Sequence, residues 1–309
     1  MSAPVETFRT SDGARIGFRF FGKEHKTPAL VMINGMSAVM DDWVPLAEAF
    51  AQTRPVLIFD HRGIGDSYLT EEGAEDITIE LMAQDVIDLV RSLHMHTIHL
   101  LGFSMGGLIA QAILTHSDAK ATTDQAGVRV QGVEVRRAVL TATFAKMPKG
   151  EFHPSNIPVP PPGSSKAERD YAVVKYMLEM QYHPSVLGPH GALQHTFDRR
   201  MAHHPHTRRP QMVIGYQAAS MAMYDGKDKL CHIPSKLPMI MIHGRYDRMV
   251  NYDESNDLQK RLPQLRRLRP DVEGDREAFG HMWFDYFDLQ ASWVDPITQF
   301  LDTPRAAHM

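Results

Sequence analysis

The chain has 309 residues and a formal net charge of −4, with 43% hydrophobic and 23% charged residues. This length suits about two domains, or one large α/β unit with an elaboration. The balanced charge argues against a nucleic-acid-binding surface, and no apolar run reaches the ~18 residues of a membrane span. The single cysteine, Cys231, excludes an internal disulfide framework and a multi-cysteine metal site. The N-terminus lacks the basic and apolar stretches of a signal peptide, so we predict a cytoplasmic protein.

The first half of the chain predicts strands alternating with helices. Two extended runs, Glu6–Thr10 and Ala14–Phe21, flank a Ser-Asp-Gly turn and predict a hairpin. Apolar residues at helical spacing from Ile79 to Leu93 predict a helix, and a second helix is predicted to begin at Ser104. Compact apolar runs predict three buried strands at Ala29–Ile33, Val56–Phe59 and Ile98–Leu101.

The second half continues the same alternation. The segment around His116–Glu134 is polar, and we predict a surface excursion there. The last helix is predicted over Phe284–Leu301, kinked or broken at Pro296. Apolar strands that alternate with amphipathic helices indicate an α/β fold with a mostly parallel sheet covered on both faces. Further strands are predicted at Ala138–Ala142, Met239–Ile242 and Gln264–Arg269.

A strand-poor block interrupts this alternation. Residues 144–231 hold 10 of the 20 prolines, with helical patterns at Tyr171–Gln181 and Met212–Met223. The block stands between two predicted sheet strands, so it should lie over the carboxyl edge of the sheet, where open α/β sheets bind ligands. We therefore predict a core made of residues 1–143 and 232–309, with residues 144–231 as an inserted helical cap.

The segment Gly102–Gly106 has the pattern Gly-x-Ser-x-Gly. It follows an apolar strand and opens an apolar helix, which is the setting of a nucleophile elbow. Glycine is required where a sharp turn leaves no room for a Cβ, and the turn pushes the serine side chain out of the backbone. Ser104 is therefore the predicted nucleophile.

A serine hydroxyl needs a histidine to take its proton and an acid to orient that histidine. After an elbow serine, the acid and then the histidine follow in chain order. Asp247 follows the predicted strand Met239–Ile242, and His281 follows the last predicted strand, so both should reach the same sheet edge. Because His281 must be neutral to accept the proton, activity should rise with pH. Four competitors are less well placed, on a predicted helix face or away from the right strand ends: Asp253, Asp257, His243 and His232.

The oxyanion of an acyl-transfer intermediate needs two preorganised donors. One is predicted to be the backbone N–H of Met105, directly after the nucleophile. The other is predicted in the loop after the early strand Ala29–Ile33, where Gly35 permits a tight turn and the Met36 N–H is the natural donor.

These motifs resemble those of α/β-hydrolase-fold serine hydrolases, and the resemblance covers nearly the whole chain except the cap. Asn34-Gly35-Met36 is similar to the family's His-Gly-x turn, with asparagine in place of histidine. Asp60-x-Arg62-Gly-x-Gly-x-Ser67, the elbow, His-Gly-x-x-Asp and Gly-His follow in family order. Among capped relatives, the chain is most like the esterase, methylesterase and carbon–carbon hydrolase group.

The resemblance implies a hydrolase that cleaves a small to medium, largely apolar ester or lactone through an acyl-enzyme, without metal or organic cofactor. Acyl transfer, carbon–carbon cleavage and a ligand-sensing role that retains the triad remain open. Monomer and homodimer are both open as well. Methionines of the cap and residues near the predicted site are candidates for substrate binding: Gly35, Trp43, Met177, Met180 and Trp283.

Overall fold

One sheet organises the computed structural model, which describes residues 3–73, 76–147, 150–152 and 156–303. Ten strands are found within these ranges. In chain order they are β1 (Glu6–Arg9), β2 (Arg15–Phe21), β3 (Ala29–Ile33), β4 (Val56–Phe59), β5 (Thr97–Phe103), β6 (Lys120–Ala121), β7 (Val128–Val130), β8 (Val133–Thr141), β9 (Met239–Ile242) and β10 (Leu265–Arg267).

The centre of the sheet is parallel. Strand β3 pairs in parallel with β4 and β5, and the parallel ladder continues through β8 and β9 to β10. The hairpin of β1 and β2 joins β4 in the antiparallel sense, as does β7 at the start of β8. The predicted mostly parallel sheet is confirmed, and its parallel strands deliver their carboxyl ends to one edge.

Eight α-helices accompany the strands in the described part of the chain. They are α1 (Val44–Phe50), α2 (Ile79–Ser92), α3 (Met105–Leu114), α4 (Lys166–Glu179), α5 (Gln194–His203), α6 (Gln211–Met223), α7 (Tyr252–Arg261) and α8 (Asp295–Asp302). The predicted helices at α2, α3, α4 and α6 are confirmed, whereas α1 and α5 were not predicted. Helices α4, α5 and α6 all lie between β8 and β9, and no helix of the described ranges is long and apolar enough to cross a membrane.

Both faces of the sheet are buried, because successive side chains of a strand point to opposite sides. On β3, Val31 and Ile33 belong to the core under α2 and α3, whereas Leu30 and Met32 belong to the core under α1 and α8. This arrangement explains why β3 and β4 consist entirely of buried apolar residues.

The prediction of one helix over Phe284–Leu301 was wrong. The chain forms a 3₁₀ turn at Trp283–Asp285, a π-helical turn at Leu289–Val294 and only then α8. Tyr286 ends the first turn in an extended conformation, and Phe287 follows it with a positive φ of 63°. Pro296 lies in the first turn of α8, where its missing N–H costs least.

One further expectation needs correction. The segment His116–Glu134 is more than a surface excursion, because it contains β6 and β7 and extends the sheet through the buried Val128 and Val130. Cys231 is exposed in a 3₁₀ turn at Leu230–His232, in the connection between α6 and β9.

Candidate active site

Ser104 occupies the sharp turn between β5 and α3. Its φ of 54° and ψ of −120° are a strained conformation for a residue with a side chain. The surrounding backbone holds it there: the Ser104 N–H donates to the Thr141 carbonyl at 2.9 Å. The Ser104 carbonyl accepts hydrogen bonds from the Gly107 N–H at 2.9 Å and the Thr143 hydroxyl at 2.7 Å. The side chain makes no helix-capping hydrogen bond.

The two glycines of the motif are required by close packing, as the sequence predicted. A Cβ at Gly102 would lie 2.5 Å from the Gly106 carbonyl oxygen. A Cβ at Gly106 would lie 2.1 Å from the carbonyl oxygen of Ile33 at the end of β3. Neither distance is compatible with a side chain, so only glycine allows β3, β5 and α3 to approach this closely.

Asp247 and His281 meet at the carboxyl edge of the sheet. His281 Nδ1 donates to Asp247 Oδ2 at 2.8 Å, and both side chains are buried. The other carboxylate oxygen, Asp247 Oδ1, accepts from the backbone N–H groups of Met249 and Val250 at 2.9 and 2.8 Å. The carboxylate is thereby fixed in orientation before it meets the imidazole.

A second histidine faces the same carboxylate. His243 follows β9 directly, and its Nε2 lies 3.0 Å from the Val250 carbonyl oxygen and 3.3 Å from Asp247 Oδ2. Burial raises the pKa of Asp247, but the charges and hydrogen bonds of His281 and His243 outweigh it and hold that pKa well below its ordinary value. Asp247 is therefore an anion that binds two imidazoles.

The loop after β3 packs directly on Ser104. A Cβ at Gly35 would lie 3.1 Å from the Cβ of Ser104. The Asn34 carbonyl accepts a hydrogen bond from His61 Nε2 at 2.9 Å, and burial lowers the pKa of His61 to about 4, which keeps it neutral. Met36 follows Gly35 in this loop. Met105 is the first residue of α3, so the Met105 N–H has no acceptor within the helix.

Asp60, at the end of β4, anchors the far end of this loop. Its Oδ1 accepts from the Met40 N–H at 2.6 Å and its Oδ2 from the Asp66 N–H at 2.8 Å. Burial raises the pKa of Asp60 to about 7, whereas these two hydrogen bonds lower it. A Cβ at Gly65 would lie 2.1 Å from Asp60 Oδ2, so glycine is needed for this close approach.

We expect Asp60→Asn to lower the free energy of unfolding by about 1–3 kcal/mol, because one backbone N–H would face the amide NH₂ instead of an acceptor. Chemical denaturation checks this value. Asp66→Asn is the matched control, since Asp66 is exposed and should change stability by less than about 0.5 kcal/mol. Equal stability of both variants would contradict the anchoring role of Asp60.

Ser104 and His281 both line a cavity of about 190 Å³. Its wall is mostly apolar and includes the side chains of three helices inserted between β8 and β9. The apolar wall includes Trp43, Phe103, Phe144, Phe152, Leu178, Phe284 and the methionines Met36, Met147, Met177, Met221, Met249 and Met282.

The predicted substrate-binding residues divide into two groups. Gly35, Trp43 and Met177 line the cavity. Met180 and Trp283 are buried outside its lining, contrary to expectation. Trp283 lies only two residues after His281, but the 3₁₀ turn directs its ring into the core, 5.0 Å from that of Trp293, while Phe284 faces the cavity.

The polar end of the cavity was not predicted. Arg200 donates to both carboxylate oxygens of Asp285, and Asp42 lies between Arg200 and Arg209 at 3.5 and 3.3 Å. Burial lowers the pKa of Arg200, but the carboxylates of Asp285 and Asp42 outweigh this effect and raise that pKa above its ordinary value. Burial and the charge of Arg209 lower the pKa of His204, which also lines the cavity, to about 4. No short motif marks these residues, which come together only through folding.

The histidines, carboxylates and cysteine of the described ranges form no group of three or more that could hold a metal ion. The buried His281 is engaged by a carboxylate through Nδ1. An imidazole held in this way can accept a proton at its other ring nitrogen.

The comparison with known families agrees with the topology and the elbow. The model of the alpha/beta hydrolase family matches residues 30–301, most of the chain. The chain belongs to the alpha/beta hydrolase family. The fold predicted from its motifs is therefore confirmed.

Solved structures of other proteins share this fold along nearly the whole chain. A hydrolase from Pseudomonas aeruginosa PA01 superposes with a TM-score of 0.71 at 21% identity, covering 96% of this chain and 98% of that one. The enol-lactonase from Burkholderia xenovorans LB400 gives 0.68 at 20% identity, covering 96% and 99%. In sequence, 3-oxoadipate enol-lactonase 1 of Acinetobacter baylyi is 31% identical over 98 residues, 32% of this chain and 35% of that protein. The matches to curated relatives span only 29–35% of those proteins' length.

Proposed function

We propose that the protein is a serine hydrolase that cleaves a small to medium, largely apolar ester or lactone. The observation that carries the proposal is the hydrogen-bonded pair of Asp247 and His281, whose imidazole lines the same cavity as the elbow serine. Family membership and the enol-lactonase relative support an ester or lactone substrate.

In the proposed mechanism, Ser104 Oγ attacks the acyl carbonyl while His281 Nε2 takes its proton. Asp247 holds the other ring nitrogen as N–H and stabilises the imidazolium that forms. The N–H groups of Met36 and Met105 donate to the oxyanion. His281 then protonates the leaving group, and a water molecule, activated by the same histidine, releases the acid and restores Ser104.

The cavity supports a modest, apolar substrate. Its volume of about 190 Å³ is below the ~300–1,000 Å³ typical of sites for drug-sized ligands. Methionine side chains conform to irregular ligands, and six of them line the wall. We further propose that residues 144–231 act as a cap, because Met177 of α4 and Met221 of α6 form part of this wall.

A series of p-nitrophenyl esters tests the proposal. We expect multiple turnover, with butyrate or octanoate esters giving higher kcat/KM than the palmitate ester, whose chain exceeds the cavity. A single turnover that leaves a stable adduct would indicate a ligand sensor instead. A transfer product formed in the presence of an alcohol, in preference to the free acid, would indicate acyl transfer. Absence of any reaction with Ser104 would overturn the proposal.

A further inference from the structure

The middle of the loop after β3 is held by residues of the inserted helical segment. Ser37, directly after Met36, has a positive φ of 60°. Its N–H donates to Gln217 Oε1 of α6 at 2.9 Å. Its carbonyl accepts a hydrogen bond from Arg209 Nη1, just before α6, also at 2.9 Å. Both backbone groups of this one residue are therefore bound by side chains of the inserted segment.

The ends of the same loop are held differently. His61 binds the Asn34 carbonyl and Asp60 binds the Met40 N–H, and both of these residues belong to the core. Between these anchors, the backbone of Ser37, which adjoins Met36, is held from outside the core.

The Gln217 side chain serves only as the acceptor of the hydrogen bond from the Ser37 N–H in the described part of the chain. It is fully buried, and its Nε2 has no hydrogen-bond partner among the described residues. A buried amide with an unsatisfied NH₂ group is less favourable than an apolar side chain of the same shape, so stability alone does not account for it. Its bonded atom is the oxygen that faces Ser37.

Arg209 is fixed as firmly. Its Nε donates to the Thr207 hydroxyl at 2.8 Å, and its Nη2 lies 3.3 Å from Asp42 Oδ2. Asp42 Oδ2 also accepts the Val39 N–H at 3.1 Å. The guanidinium group that binds the Ser37 carbonyl is therefore itself held in place by Thr207 and Asp42.

We propose that Gln217 and Arg209 are positioning residues for the reaction: by holding Ser37 in its left-handed conformation they aim the Met36 N–H at the oxyanion. The inference rests on the proposed function, since it concerns the oxyanion hole of that reaction. A left-handed serine persists only where its surroundings impose it. Without these contacts Ser37 leaves this conformation and the backbone of Met36 shifts with it. The Gly35–Met36 peptide, which carries the Met36 N–H, then turns the donor away from the developing charge, which weakens its stabilisation of the transition state.

The test compares an ester with its thionoester, whose C=S group is a poor hydrogen-bond acceptor. In the wild type the ester should react far faster, because only its oxyanion uses the donors. Gln217→Met keeps the length of the side chain but removes the acceptor. We expect kcat/KM for the ester to fall about 10–100-fold, less than the ~10²–10³-fold in kcat for deleting an oxyanion donor. The thionoester rate should change less than about threefold, so the ratio of the two rates contracts.

Two variants serve as controls. Gln211→Met changes an exposed glutamine of the same helix and should leave both rates unchanged. Gln217→Glu retains an acceptor oxygen in either protonation state and should keep the rate ratio close to that of the wild type. If Gln217→Met does not fold, the glutamate variant still decides, because a contracted ratio in that variant would overturn the inference.

The outcomes separate the two proposals. Ester hydrolysis that survives Ser104→Ala, or no serine-dependent hydrolysis, overturns the proposed function and this inference with it. Serine-dependent hydrolysis with equal losses for ester and thionoester in folded Gln217→Met overturns the inference alone, since a general structural defect lowers both rates. A contracted ratio in Gln217→Met, with an unchanged ratio in both controls, supports it.

Discussion

Replacing Ser104 with alanine should lower kcat/KM for esters by at least ~10⁴-fold, the scale of loss when a triad serine is removed. The substitution should leave the fold intact, because Ser104 is held through its backbone, by Thr141, Thr143 and Gly107. Alanine meets the same backbone strain as serine at a φ of 54°. The loss would therefore report the missing hydroxyl.

Labelling with a fluorophosphonate identifies the nucleophile independently. Peptide mapping should find the label on Ser104 alone, and Ser104→Ala should not be labelled. Ser92→Ala is the matched control, because Ser92 is an exposed serine of α2 and should retain wild-type labelling and rate. A label on another serine, or an active Ser104→Ala variant, would show that the nucleophile had been misassigned.

The strands and turns that carry Ser104, Asp247 and His281 could be predicted, because the sequence patterns that indicate them are local. Strand β3 consists of five consecutive apolar residues, and its predicted bounds are those observed. The glycines of the elbow are dictated by backbone contacts, so their spacing reports the geometry directly. Asp247 and His281 could be placed because each follows a strand of the same parallel sheet.

The contacts of the inserted segment could not be predicted, because they join distant positions. Gln217 and Ser37 are 180 residues apart, and Arg209 and Ser37 are 172 apart. Helix α6 contains no charged residue and has weak amphipathic character, so periodicity does not reveal which face is buried. The composition of this segment predicted a cap over the site but gave no reason to expect it to touch the loop after β3.

These contacts change the result expected when the proposed cap is removed. A cap that only walled the pocket could be deleted without loss of reactivity toward a small ester. With Gln217 and Arg209 bound to Ser37, the same segment supports both the pocket wall and the proposed oxyanion donor. If both proposals hold, substrate selection and catalysis are linked through one helix, α6.

The pH dependence of the proposed reaction should not arise from Asp247. Because the pKa of this carboxyl lies well below its ordinary value, Asp247 stays ionised as the pH falls through the mildly acidic range. Its contribution to stability is present above the ordinary pKa of an aspartate, ~4, and is lost only as the pH falls towards the lower native value. Loss of activity on mild acidification would therefore come from a group other than Asp247.

Asp247→Asn should reduce kcat/KM by about 10³–10⁴-fold while the protein stays folded. The two backbone N–H groups of Met249 and Val250 that bind Asp247 Oδ1 require an acceptor, so they select the orientation of the new amide. The amide oxygen takes that position, and the NH₂ group then stands where Oδ2 faced His281 Nδ1.

Two donors cannot share that contact, so His281 must carry its proton on Nε2 instead, the nitrogen that should accept the proton of Ser104. The loss would thus follow from the wrong tautomer and not from a displaced ring. Steady-state kinetics measures the rate, and nitrogen NMR of the labelled imidazole reports which nitrogen is protonated. Asp253→Asn is the matched control, since Asp253 is exposed in the first turn of α7 and should keep the wild-type rate. If Asp247→Asn stayed near the wild-type rate while Asp253→Asn lost activity, the orienting acid would be Asp253, and the hydrogen bond between Asp247 and His281 would serve the fold alone.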